Sequence, residues 1–167
     1  MISDVMAERL NQQLNEEFFA FYKYTAMSAY CSSISLNGFA HWFALQASEE
    51  QAHAMKFYNY LLEQDRNVVL LPLKQPKNNF ESIVEVIELS LQSEQHVTKC
   101  INELMGLALK ESDFATNAFL QWFITEQVEE EATVRDILDR VKMVKDSSEG
   151  LLHLDREVSS RSPEEAQ

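Results

Sequence analysis

Apolar side chains recur every three or four residues through four long stretches of this chain, a spacing that places them on one face of an α-helix. Only 3 Gly and 3 Pro occur among the 167 residues, so few turns can interrupt these stretches. The pattern therefore predicts four long helices, at about residues 4–33, 38–64, 80–109 and 114–145.

The breaks between these helices predict how they are connected. Ser35–Gly38 and Lys110–Asp113 are short turn-forming segments, so each should join two antiparallel neighbours. Pro72 and Pro76 exclude a helix from the third break, because proline lacks the amide donor and clashes with the preceding turn. The sequence thus predicts an all-α four-helix bundle with one long crossover at roughly residues 65–79.

A shorter pattern follows the fourth helix. Leucine and valine side chains after Gly150 predict a short fifth helix at the C-terminal end of the bundle. We expect one domain over residues 1–158, followed by a polar, disordered tail at 159–167.

Charge and cysteine content exclude several classes of partner. The chain carries 27 acidic and 14 basic residues, a formal net charge of −13, which repels nucleic acid and anionic membranes and attracts cations. No apolar run approaches the ~20 residues of a membrane-spanning helix, and acids stand where a signal peptide would be basic. Cys31 and Cys100 form neither a metal-binding spacing nor a disulfide framework. These features predict a cytoplasmic protein without nucleic-acid or membrane partners.

Each of the four apolar faces is interrupted near its middle by a glutamate. The four residues are Glu17, Glu50, Glu94 and Glu130. A single buried carboxylate is often a paired structural acid, but no Lys or Arg occupies the matching positions of these faces. Burying unpaired carboxylates is unfavourable by several kcal/mol each, so bound cations are the simplest source of the balancing charge.

The spacing of the second helix indicates which cation would bind. Glu50 and His53 lie one turn apart on the same helix face, and this spacing is specific when it faces other buried carboxylates. Carboxylates with an imidazole and no thiolate suit iron or manganese better than a structural zinc ion. The fourth helix has Gln127 and Glu130 where a symmetric site would repeat the pair, so two metal positions should be unequal.

Tyr24 lies two turns after Glu17 on the same face. It is either a core aromatic residue or a phenol that hydrogen bonds to a metal ligand and donates an electron.

Several segments of the chain together resemble the non-haem ferritins of bacteria, from about residue 5 to about residue 158. They are Asn15–Glu17, Tyr24, Met27–Tyr30, Ala47–His53, Glu94, Asn117–Phe123 and Glu126–Glu131. The resemblance implies a ferritin-like bundle that stores iron and acts as a ferroxidase, oxidising Fe(II) with O₂ or peroxide. It also implies a homo-oligomer, a hollow twenty-four-subunit cage that encloses ferric mineral.

The same resemblance implies a di-iron ferroxidase centre with ligands from all four helices. The first iron would be held by Glu17, Glu50 and His53. The second would be held by Glu50, Glu94 and Glu130, with Gln127 close by. Glu49, Glu126, Glu129 and Glu130 match a third iron position, although a solvated acidic face is the alternative for the outer members. Tyr24 and Trp122 match the aromatic pair beside the centre.

Two departures limit what is transferred from related families. Bacterioferritins bind haem through a Met directly after the glutamate of the Glu–His pair, and Gln51 stands there, so no haem is expected. Animal ferritins line an iron-entry channel with acidic residues. The matching positions in this chain are Asn117 and Leu120, so the resemblance does not define the route by which iron enters.

Two other functions also fit the sequence. A di-iron oxidase or peroxidase would act on a small substrate without storing iron. A ferritin-like scaffold or metal buffer would bind metal without turnover.

Overall fold

The computed structural model describes residues 2–162, which form five α-helices and no strand in that range. The helices are α1 (Asp4–Ser33), α2 (Asn37–Glu63), α3 (Ile83–Glu111), α4 (Phe114–Val144) and α5 (Ser148–Val158). The all-α prediction is therefore confirmed, with the four long helices within a few residues of their expected bounds. None of the described helices is long and apolar enough to cross a membrane.

Side-chain caps fix where most of these helices begin. The Ser82 hydroxyl accepts a hydrogen bond from the Glu85 N–H at 3.2 Å, so α3 begins at Ile83 rather than at the expected residue 80. Asp113 caps α4 in the same way, through the Thr116 N–H at 3.0 Å. A cap of this kind stabilises a helix because the first turn has amide donors without partners inside the helix.

The start of α2 is capped by a distant part of the chain. Leu36 offers no side-chain cap, and the Phe39 N–H instead donates to Asp155 Oδ1 of α5 at 2.9 Å. The two elements approach closely here, because a Cβ atom on Gly38 would lie 1.7 Å from the Asp155 carbonyl oxygen. Glycine at position 38 therefore allows α5 to pack against the end of α2.

The long crossover between α2 and α3 has no regular secondary structure over residues 66–80. Two asparagines of α1 hold its first half. Asn11 accepts from the Val69 N–H at 2.6 Å and donates to the Asn67 carbonyl at 3.0 Å. Asn15 accepts from the Leu71 N–H at 2.7 Å. These side chains satisfy backbone groups that would otherwise lie unpaired against the bundle.

The core formed by the described residues consists of two apolar clusters rather than one. One cluster surrounds Phe39, Phe43 and Ile87, and the other surrounds Leu10, Phe57 and Ile101. The long helices form antiparallel pairs, α1 with α2 and α3 with α4, and contacts between α1 and α3 join the pairs. The interrupting glutamates belong to neither cluster. They form a polar layer between two apolar halves.

The C-terminal segment is only partly described. Within residues 159–167, for which the sequence predicts disorder, Arg161 donates hydrogen bonds to Gln46 and Glu49. Residues 163–167 of the expected tail lie outside the described residues.

Candidate metal centre

The glutamates that interrupt the apolar faces are all buried. The exposed fractions are 0% for Glu17, 1% for Glu50, 1% for Glu94 and 6% for Glu130. One comes from each long helix, and helical periodicity turns all four toward the bundle axis. The structure thus brings four carboxylates into one polar layer.

Three residues of this layer form a tight group. Glu17, Glu50 and His53 each offer one ligand atom, and these atoms lie within 4.8 Å of one another. His53 Nδ1 is 3.6 Å from Glu50 Oε2, as expected for residues one turn apart. This is the set of residues expected to bind the first iron.

Glu94 and Glu130 lie in the same layer but do not join a group of that tightness among the described residues. Glu94 accepts hydrogen bonds from the Tyr24 hydroxyl and from Gln127 Nε2, the latter at 3.2 Å. Glu130 Oε2 accepts from Gln46 Nε2 at 2.9 Å. Gln127, expected close to the second iron, and Tyr24, expected beside the centre, therefore contact the same carboxylate.

Among the residues that the structure describes, two oxygens in the layer have no hydrogen-bond partner. They are Oε2 of Glu17 and Oε2 of Glu50, while the other oxygen of Glu17 accepts from Gln13 Nε2 at 2.8 Å. A buried carboxylate oxygen without a donor is unfavourable, and a metal ion satisfies it directly. The two orphaned oxygens belong to the tight group, so the donor set fits a bound cation there.

Burial shapes the protonation of these groups. Desolvation raises the pKa of Glu17, of Glu50 and of Glu94, and the nearby carboxylates raise it further. For Glu130, burial and the Glu94 charge raise the pKa to about 7. A cation that binds here must displace protons, so binding is expected to strengthen as pH rises.

The site has one basic neighbour among its helices that the sequence patterns did not indicate. Lys23 of α1 donates to the Ser93 hydroxyl, and burial lowers the pKa of its ammonium group. The charges of Glu50 and Glu94 oppose this shift most strongly. Lys23 lies outside the apolar face of α1, so the apolar pattern alone did not predict that it lies near the site.

The expected third position is less compact. Glu49 is buried, Glu126 is half-buried and Glu129 is exposed, and within residues 2–162 Glu126 and Glu129 join no tight group of ligands. Both oxygens of Glu49 accept from Arg161 Nη2, at 2.8 and 2.9 Å. Arg161 lies 112 residues further along the chain, and no sequence signal linked it to the centre.

Aromatic rings enclose the tight group. Trp122 lies edge-on to the His53 ring, with 5.3 Å between centroids, and Phe123 approaches the same ring at 5.9 Å. Tyr24 stacks on Phe43 at 6.0 Å. The two expected aromatic residues therefore flank opposite sides of the polar layer, Trp122 at His53 and Tyr24 at Glu94.

This fold and this site together define a class, the helical-bundle proteins with a buried metal centre of carboxylates and histidine. The family model of the ferritin-like domain matches residues 7–144. The chain belongs to the ferritin family, and the storage of iron is its function as a member of that family.

Relatives of the chain match over nearly its full length. The bacterial non-heme ferritin of Campylobacter jejuni is 39% identical over 160 residues, 96% of each chain. The bacterial non-heme ferritin of Staphylococcus saprophyticus is 38% identical over 167 residues, 100% of each chain. Among solved structures, an open pore ferritin of Archaeoglobus fulgidus superposes with a TM-score of 0.95 at 40% identity, covering 97% of this chain and 100% of that one. An engineered closed form of the same ferritin gives a TM-score of 0.95.

Proposed function

We propose that the chain is a ferroxidase that oxidises Fe(II) to Fe(III) at the buried carboxylate centre and stores the product inside a closed homo-oligomeric cage. The observation that carries the proposal is the group of Glu17, Glu50 and His53 with its two orphaned carboxylate oxygens. Hard oxygen ligands with one imidazole suit Fe(II), and iron here is substrate rather than a resident cofactor. The cage, of twenty-four subunits, rests on the similarity to ferritins.

Two Fe(II) ions are proposed to bind in unequal positions. Glu17, Glu50 and His53 would bind the first, and Glu50 would be shared with the second. The second would also use Glu94 and Glu130, whose present hydrogen bonds from Gln127 and Gln46 leave other oxygen lone pairs for a cation. Glu49, Glu126 and Glu129, together with Glu130, would form an outer, third position.

The electron balance of the reaction is simple. Each Fe(II) loses one electron, and O₂ takes up both electrons with two protons to give hydrogen peroxide. Peroxide as oxidant would instead take up two electrons and two protons to give two waters. Burial raises the pKa of Glu17 and of Glu50, so protons compete with Fe(II) for these carboxylates. The protein supplies geometry, charge and proton release, and iron supplies the redox chemistry.

Two further features belong to the proposal. The Gln51 side chain lacks the thioether that would ligate haem, so we propose a protein without haem. We also propose that it acts in the cytoplasm, where the free thiols of Cys31 and Cys100 stay reduced.

The proposal is tested by adding Fe(II) in air to the metal-free protein and then measuring both oxidation and particle mass. We expect rapid oxidation of about two Fe(II) per subunit, followed by particles of cage mass that contain iron well beyond that ratio. Rapid oxidation by a small oligomer that keeps no iron would favour an oxidase instead. Binding without rapid oxidation would indicate a metal buffer.

A matched pair of variants assigns the reaction to the centre. Glu17→Ala should remove rapid oxidation, because it deletes one of the three converging ligands. Glu103→Ala removes the same charge from the surface, where Glu103 pairs with Arg9 at 2.7 Å, and should leave oxidation unchanged. Equal loss in both variants would show that overall charge, and not the buried centre, controls the reaction.

A further inference from the structure

The segment that follows α5 places a guanidinium group at the edge of the polar layer. Arg161 lies three residues beyond the end of α5 at Val158. Its Nη2 donates to both oxygens of Glu49, at 2.8 and 2.9 Å, and its Nη1 donates to Gln46 Oε1. The Trp42 ring lies 5.2 Å below the guanidinium carbon. One side chain from the end of the chain therefore makes three hydrogen bonds to α2.

This ion pair is largely removed from water. The side chain of Arg161 is 14% exposed and that of Glu49 is 7% exposed. Charge-assisted hydrogen bonds in such surroundings are stronger than those on an open surface, and the planar guanidinium fixes their direction. Arg161 thus occupies the place next to Glu49 where an external cation would otherwise bind.

The same guanidinium reaches a second carboxylate through Gln46. Because Gln46 Oε1 accepts from Arg161, the amide nitrogen of Gln46 must point the other way, where Nε2 donates to Glu130 Oε2 at 2.9 Å. Gln46 is fully buried, so its amide has no water to replace either contact. Arg161 therefore sets the orientation of the amide that holds Glu130.

We propose that Arg161 is a positioning residue of the metal centre with two effects. It acts as a built-in cation that an incoming metal must displace from Glu49, and through Gln46 it holds the Glu130 carboxylate in place. The inference rests on the proposed function, in which Glu49 and Glu130 are iron ligands. It implies that the outer position fills only after the inner ones, since no guanidinium in the described part of the chain pairs with Glu17, Glu50 or Glu94.

The test uses Co(II), which binds such ligands without being oxidised by air, and the metal-free full-length protein. Calorimetric titration and the visible absorption of bound Co(II) are followed in the wild type, Arg161→Gln and Arg161→Lys. In Arg161→Gln the outer event should tighten by about tenfold, because the competing charge is gone. The absorption of the Co(II) bound near Glu130 should shift, because Gln46 is free to turn.

Two further variants separate this effect from a general change of charge or folding. Arg140→Gln removes an arginine that links α4 to Glu157 of α5 without touching the metal layer, and its titration should match the wild type. Arg161→Lys keeps the charge but lacks the two guanidinium nitrogens that donate to Glu49 and Gln46. Its affinity for Co(II) at the outer position should therefore lie between those of the wild type and Arg161→Gln.

The possible failures are distinguishable. If the wild type binds Co(II) and the Arg161→Gln titration and spectrum superpose on it, Arg161 has no positioning role, while the proposed function stands. If the wild type shows no binding that depends on Glu17, the proposed function fails and this inference fails with it. If Arg161→Gln does not assemble, Arg161→Lys still decides, because a titration equal to that of the wild type would overturn the inference.

Discussion

At the scale of single residues, Glu130 is held by one neutral donor and lies close enough to Glu94 for repulsion to raise its pKa. Glu130→Gln removes that repulsion but also removes a charged ligand from the second iron position. We expect the metal-free variant to be as stable as the wild type or more stable at pH 8. The fast phase of Fe(II) oxidation in a stopped-flow trace should slow roughly 10–100-fold.

The surface provides the control for this prediction. Glu103→Gln makes the same chemical change at an exposed position that pairs with Arg9. Its oxidation trace should superpose on that of the wild type. An unaltered fast phase in Glu130→Gln would exclude Glu130 from the ligand set.

Tyr24 allows a second prediction at this scale. Its hydroxyl donates to Glu94 and accepts from the Ser90 hydroxyl at 3.2 Å, and burial raises the pKa of the phenol. A buried phenol that hydrogen bonds to a carboxylate can lose an electron while its proton moves to that carboxylate. Tyr24→Phe should therefore keep the first fast oxidation but abolish any tyrosyl radical signal seen by electron paramagnetic resonance during turnover.

Tyr22→Phe is the matched control, since Tyr22 is 43% exposed and only two residues away. A radical of wild-type intensity in Tyr24→Phe would assign the electron donor to another residue, with Trp122 the next aromatic ring beside the centre.

Whether the sequence could predict the place of a residue depends on how far along the chain its contact partners lie. The buried glutamates and His53 were predictable because helical periodicity fixes the face of each residue within its own helix. Arg161 was not, since its contact with Glu49 depends on how α5 packs, which no local pattern encodes. The hydrogen bond from Gln46 of α2 to Glu130 of α4 was not predictable for the same reason.

At the scale of elements, the packing of α5 on α2 depends on a glycine. A Cβ atom at position 38 would meet the Asp155 carbonyl oxygen at 1.7 Å, and the side chain of Asp155 caps α2 at the same place. Gly38→Ala should therefore push α5 away and destabilise the chain by roughly 1–3 kcal/mol. Thermal unfolding measures the loss, and faster proteolysis within α5 would locate it.

The same substitution at Gly106, also a helical glycine, should have the opposite effect. Gly106 lies within α3, and a Cβ atom there would meet no atom of the described residues within 4 Å. Gly106→Ala should raise stability by about 0.5–1 kcal/mol, because alanine loses less backbone freedom in a helix. If the two variants unfolded at the same temperature, the packing of α5 on α2 would not depend on the missing side chain at position 38.

The crossover marks the limit of prediction for whole elements. Its prolines showed where helix is excluded, but not what holds the segment against the bundle. Asn11 and Asn15 of α1 hold it, because their side chains accept hydrogen bonds from its backbone N–H groups. Two asparagines four residues apart in a helix do not by themselves predict a contact. Their role is visible only once the path of the crossover is known.

At the scale of the whole molecule, the buried acids predict how stability depends on pH. Burial raises the pKa of Glu130 to about 7, from an ordinary value of 4.5, and it raises that of Glu49 to about 7 although the charge of Arg161 acts in the opposite direction. Between these values the folded chain binds more protons than the unfolded chain, so their contribution is full below pH 4.5 and is lost as pH rises through about 7. The melting temperature of the metal-free protein should therefore fall from pH 5.5 to pH 8.

Metal should reverse this trend. Zn(II) supplies the charge that the ionised carboxylates lack, so it should raise the melting temperature more at pH 8 than at pH 5.5. Glu130→Gln should show a shallower fall without metal, because one of the titrating groups is gone. A melting temperature that rose with pH in the metal-free wild type would contradict the raised pKa values.

The division of the core into two apolar clusters matters for how such a molecule can change over generations. Each cluster has its own aromatic and aliphatic packing, and the polar layer contributes little of it. Substitutions on one side can thus be compensated on that side, and the layer between them is free to gain or lose ligands without refolding the rest. A lineage built on this plan can keep its architecture while it exchanges its chemistry, and a designer can rewrite the middle of the bundle and leave both ends intact.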